Sequence, residues 1–184
     1  LAVVRSGLYL DFRFLDMALS ALTPSPDERC GVLATDGQML YYQPSRLLRL
    51  YQENPKYLNR LCLHTIFHCI FRHLWLRGRR DRRLWNLACD IAVENVIDNL
   101  GRKSVTRPLT YVRQHAYEAI AAEEKVVAAA PTYRWLLRQT PGVLRQLERE
   151  FYTDDHRLWP KDAPEQPQQM PTPLPQKTWQ KIGE

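Results

Sequence analysis

Apolar residues at Leu8, Phe12, Leu15, Leu19 and Leu22 recur at helical spacing, and the "TPSP" that follows ends the segment. The pattern then changes. In "CGVLATDGQMLYYQP" (30–44) two apolar runs flank Asp36-Gly37, a pair that predicts a tight β-hairpin. "PSRLLRLYQEN" (44–54) has proline in a first helical turn and predicts a short helix. Pro55 opens a long helix through about Leu76, and a second runs from about Arg82 to Leu100 with Gly101 as its stop. "TRPLTYVRQHAYEAIAAEEK" (106–125) predicts another helix, and "APTYRWLLRQT" and "PGVLRQLEREF" two shorter ones. The expected class is α+β, mostly α-helical, with one β-hairpin followed by a central helix pair.

Composition sets the limits. Of 184 residues, 45% are hydrophobic and 25% charged, an ordinary globular balance. Six of the 13 prolines fall between Pro160 and Pro175, so one domain is expected over 1–159 and a Pro-rich linker over 160–184. Much of the net charge of +6 comes from "RGRRDRR" (77–83). No aromatic residues interleave these arginines, which favours a solvated turn over an acid-binding surface, and no nucleic-acid partner is expected. Cys30, Cys62, Cys69 and Cys89 form no C-x-x-C pair and read as small buried hydrophobes in a reducing compartment. "LAVVRSGLYLDF" carries Arg5 and Asp11 and does not read as a secretory leader; the missing initiator Met reads as a trimmed start. The most apolar long stretch, Tyr57 to Leu76, holds three histidines and two arginines, so no membrane span is expected. The expected location is the cytoplasm.

The chemistry sits on the two central helices. "HTIFHCIFRH" (64–73) spaces His64 and His68 one turn apart, so both imidazoles can reach a single ion. His73 falls on the opposite side of a continuous helix and reads as a hydrogen-bonded packing residue, with a second metal site as the lesser alternative. On the next helix Asn86, Asp90, Glu94 and Asp98 follow at i,i+4 steps. Such a row is usually a solvated stripe. Here Asp90 is flanked by "LAC" and "IAV", and two histidines on the preceding helix need partners. Asp90, with Glu94 as a further candidate, would complete a site of three protein ligands with an open fourth position.

Five segments also resemble, in order, the N-terminal metallopeptidase-like domain of bacterial VWA-like proteins that accompany MoxR-type AAA+ ATPases. They are "FRFLDMAL" (12–19), "LATDGQMLYYQP" (33–44), "LHTIFHCIFRHLW" (63–75), "WNLACDIAVENVI" (85–97) and "DDHRLW" (154–159), together covering residues 10–160. The resemblance implies a zincin-like fold and His64, His68 and Asp90 as ligands of a zinc ion (Zn2+). It also implies that "TDGQMLYY" lies along a cleft for an extended peptide, with a VWA-like domain after the linker. Zincins write the site H-E-x-x-H. Thr65 stands where the glutamate moves the proton of the metal-bound water, and a threonine hydroxyl is no base near neutral pH. On this reading Thr65→Glu restores the motif without touching the ligands. "DDHRLW" has two readings, a docking motif pinned by Trp159, which is favoured, or one in which Asp155 or His156 reaches the metal.

Three functions compete. The first is a degenerate metallopeptidase that binds metal and works with a VWA-like domain and a MoxR-type AAA+ ATPase. The second is an active zinc metallohydrolase with Glu94 as catalytic base, acting on a peptide or protein. The third is a metal-free helical interaction module with buried, hydrogen-bonded histidines.

Overall fold

The structure, a computed structural model, describes residues 1–160. The remainder of the expected linker, 161–184, lies outside the described residues. The chain is mostly helical with one small sheet, an α+β protein. Its described residues form two compact units: 1–78, 102–105 and 154–160 make the first, and 79–101 with 106–153 the second.

The first unit begins with α1 (Ala2–Asp11), a single 3-10 turn (Arg13–Leu15) and α2 (Asp16–Ala21). One continuous helix was expected here. The chain leaves helical geometry at Phe12 (φ −132°, ψ 55°), yet Leu8, Phe12, Leu15, Leu19 and Leu22 are all buried as their spacing predicts. The sheet has the order β1-β3-β2, from β1 (Thr23–Pro26), β2 (Leu33–Thr35) and β3 (Met39–Tyr42). β2 and β3 form the expected antiparallel hairpin, with Leu33 opposite Tyr42 and Thr35 opposite Leu40. β1 was not expected, because "TPSP" carries two prolines. It runs parallel to β3 as an edge strand, where proline is tolerated. β3 is thus the middle strand, and the segment expected along a peptide cleft has no open edge.

The hairpin turn is built by Asp36 and Gly37. Asp36 Oδ1 accepts the N–H groups of Gln38 and Met39, both at 2.9 Å, and its Oδ2 accepts the Tyr41 hydroxyl at 3.0 Å. Gly37 has φ +90°, and a Cβ there would stand 2.5 Å from the Trp75 ring. Gly37→Ala is therefore expected to destabilise the protein by about 1–3 kcal/mol, read as a lowered urea midpoint. An unchanged midpoint would mean that the turn relaxes freely.

α3 (Pro44–Glu53) and α4 (Pro55–Ile70) complete this unit. Asn54 caps α4 by accepting the N–H of Tyr57 at 3.2 Å. α4 is buried on nearly every side, as its apolar sequence requires. It stops six residues before the expected Leu76. Arg72 takes a left-handed φ of 61°, His73 N–H donates to His68 O (2.9 Å) and Arg72 N–H to Cys69 O (3.0 Å). That is a Schellman ending, and it occurs without the glycine that usually announces it. Segment 102–105 joins this unit through Arg60, which donates to Val105 O at 3.1 Å.

The second unit contains α5 (Arg82–Asn99), α6 (Tyr111–Glu124), α7 (Ala129–Leu136) and α8 (Pro141–Phe151). Asp81, Thr110 and Thr140 cap α5, α6 and α8. The cap at Thr110 starts α6 five residues later than its expected start at Thr106. The core gathers Leu87, Ala88 and Ile91 with Ile120, Trp135, Leu136, Leu147 and Phe151. Inside it Arg113 is fully buried, paired with Glu94 (2.5 Å), Asp98 (3.2 Å) and Glu150 (2.8 Å). The row is thus not the solvated stripe that such spacing usually means but an internal ion-pair network over part of its length. Among the described residues no helix is long and apolar enough to cross a membrane.

Candidate metal centre

His64 and His68 lie one turn apart on α4, both fully buried, with their Nε2 atoms 2.8 Å from each other. The spacing read from the sequence is sufficient for this. The other half of the centre comes from "DDHRLW". Asp155 pins that segment to the sheet: its N–H donates to Leu33 O (2.9 Å), forming a parallel bridge with Ala34. Its carboxylate accepts the N–H of Gly31 (3.3 Å) and of Arg157 (3.0 Å). Arg157 in turn holds Asp27 at 2.5 Å and the Arg29 carbonyl at 2.9 Å. Side chains alternate along an extended segment, so fixing Asp155 on the sheet turns Asp154 and His156 the other way.

They turn toward the histidine pair. Asp154 Oδ1 is 2.7 Å from His156 Nε2, 3.5 Å from His64 Nε2 and 3.8 Å from His68 Nε2. The ligand atoms of these four side chains all lie within 4.8 Å of one another, and all four residues are buried. Trp159 stacks on the His156 ring at 3.7 Å between centroids and meets the His68 ring edge-on at 4.9 Å.

Two further groups hold the ligands. Thr65 Oγ1 lies 2.9 Å from Asp154 Oδ2 and 3.1 Å from the Leu61 carbonyl; the hydroxyl proton serves one acceptor at a time, and the carboxylate is the stronger. His73, brought back by the Schellman turn, places its Nδ1 3.0 Å from His68 Nδ1. The expectation of His73 on the far side of a continuous helix is corrected by the end of α4 at Ile70.

Burial by itself raises the Asp154 carboxyl. The facing His156, the hydrogen bonds from His156 and His64 and the charge of His68 outweigh it and hold the carboxyl well below the usual carboxylate range. The chemistry of the donor set fits a divalent cation. Three imidazole nitrogens and one carboxylate oxygen converge away from water, and only shared protons or a positive ion reconcile them. The cysteines are free and buried, as expected; burial pushes Cys30 up to about 11 and Cys62 up to about 12, so neither thiol ionises readily.

Of the residues singled out in the sequence, His64, His68 and His156 come together within the first unit, with Thr65 beside them. Asp90 and Glu94 lie on α5 in the second unit, both buried, and Glu94 is engaged by Arg113. Asp155 is a docking residue rather than a ligand. Asp154 was missed as a candidate. Its only local signal was a carboxylate two residues before a histidine.

Residues 5–134 match the family described as "Putative metallopeptidase domain". The chain belongs to that family. The match includes α4 with His64, Thr65 and His68, and stops before Asp154 and His156. Comparison with the curated proteins and with the solved structures gives no match.

Proposed function

We propose that this domain is a zincin-like zinc-binding module of a bacterial cytoplasmic protein, with the standard peptidase chemistry weak or lost. The observation that carries this reading is the hydrogen bond from Thr65 to Asp154. The position that supplies a proton-shuttling glutamate in a zincin is occupied here by a group that orients a carboxylate. When bound, the ion would supply Lewis-acid and charge-neutralising chemistry. His64 and His68 would hold it, and Thr65 and His73 would fix the orientation of the groups around it. The second reading, an active hydrolase with Glu94 as base, is disfavoured because that carboxylate is committed to Arg113. The proposed setting is a longer protein with a VWA-like domain that works with a MoxR-type AAA+ ATPase. A peptide or protein is the natural client of such an assembly.

Elemental analysis of the purified chain is expected to find about one zinc per chain, and a peptide library is expected to show only background turnover, unchanged by Glu94→Gln. Asp90→Asn in a zinc titration reads whether the third ligand expected from the sequence contributes. Metal-dependent cleavage at ordinary peptidase rates, abolished by Glu94→Gln, would favour the hydrolase. Protein free of metal after zinc reconstitution would favour the interaction module.

A further inference from the structure

We infer that "DDHRLW" is itself half of the metal centre: Asp154 and His156 close the coordination sphere begun by His64 and His68, and the ion clasps the end of the domain to the histidine helix. This rests on the reading that the histidine pair binds a metal. It changes what the metal is for.

The backbone of the segment is placed by contacts that do not involve the cluster. Asp155 bridges to β2, and Arg157 is tied to Asp27 and Arg29. Asp154 and His156 therefore arrive preorganised, 4% and 8% exposed, rather than drifting in on a loose tail.

Each of two ligands also has its second polar atom occupied in the way that frees the first. Thr65 takes Asp154 Oδ2 and leaves Oδ1 facing the imidazoles. His73 takes His68 Nδ1 and leaves Nε2 facing His64. Partners of this kind fix tautomer and orientation in metal sites. Thr65 is on this view a positioning residue with a function of its own, and not merely a lost base.

Four protein ligands are the mark of a structural site, whereas catalytic sites keep one position for water. The site joins α4 to a segment 89 residues further along the chain, so metal binding would be coupled to holding that segment in place. Both added ligands lie beyond the matched residues 5–134.

The test uses the full chain stripped of metal and titrated with Co(II), whose visible spectrum reports coordination. Wild type is expected to give the intense bands of a four-coordinate ion, unchanged by azide, and bound metal is expected to slow hydrogen exchange across residues 152–160. Asp154→Asn and His156→Gly are expected to weaken Co(II) binding by more than the roughly 10–100-fold that loss of an outer partner costs. Added imidazole restores the spectrum in His156→Gly, which separates a missing ligand from a misfolded chain. Thr65→Val weakens binding by about 10–100-fold and Thr65→Ser recovers it. Wild-type affinity and spectrum in both Asp154→Asn and His156→Gly would overturn the inference while leaving the histidine site standing. Azide bands in the wild type would overturn it too, by revealing an open position. A wild type that binds no Co(II) would sink the metal reading and the inference with it.

Discussion

Thr65→Glu is expected to destabilise the protein by about 3–5 kcal/mol, the scale of an uncompensated buried charge, and to create no peptidase. Thr65 is fully buried and its hydroxyl lies 2.9 Å from Asp154 Oδ2. A glutamate there loses the hydrogen-bond donor, adds volume to a filled interior and sets one carboxylate against another. The sequence alone suggests a restoration of H-E-x-x-H that leaves the ligands untouched and raises activity if a peptide still fits, because position 65 lies on the adjacent side of the same helical turn. The structure removes that expectation, since the side of the helix that Thr65 faces is where Asp154 arrives. Thermal unfolding checks the energy and a peptide library the activity. A variant that melts like wild type and hydrolyses peptides would show that the pocket beside α4 is more accommodating than its packing indicates.

Arg113→Met should cost a similar amount, about 3–5 kcal/mol, in the second unit. The guanidinium is fully buried and holds Glu94, Asp98 and Glu150, while the Phe151 ring lies 4.7 Å below it. Burial alone would lower its pKa; the surrounding acids, Glu94 first among them, outweigh this and raise it, so it stays charged. Removing it takes the Arg113 partner from the Glu94 carboxylate, whose side chain is 1% exposed. The double variant Arg113→Met/Glu94→Gln should recover part of the loss, because it also removes a buried negative charge that has lost its closest cation. Urea denaturation of both variants measures the difference. A double variant no more stable than the single one would mean that the cost lies in packing and not in charge.

Both sites show how far local pattern reaches. The hairpin was legible because Asp36-Gly37 encodes its own turn, and α3, α5 and α8 because proline, Asp81, Gly101 and Thr140 punctuate them. The breaks at Phe12 and Arg72 were not legible. Neither is a glycine or a proline, and the apolar spacing runs straight across both, with Phe12 and Leu74 buried. The facing of His64 and His68 is a property of one helix turn, so it could be read. Asp154 could not be read, because its meeting with Thr65 depends on where β2 and Gly31 place Asp155, and no local periodicity records that.

The small sheet has a consequence for how the chain behaves when crowded. In β1, Thr23 N–H donates inward to Gln38 O and Asp27 N–H to Tyr42 O, so alternation points the nitrogens of Pro24 and Pro26 outward, where a docking strand would seek donors. On the opposite rim, Leu33 O is already taken by Asp155. A sheet with proline along one rim and its own chain on the other gives a neighbouring molecule no ladder to extend. Concentrated folded protein should therefore resist strand-templated aggregation, and losing the grip of Asp155 would expose a new rim for such growth.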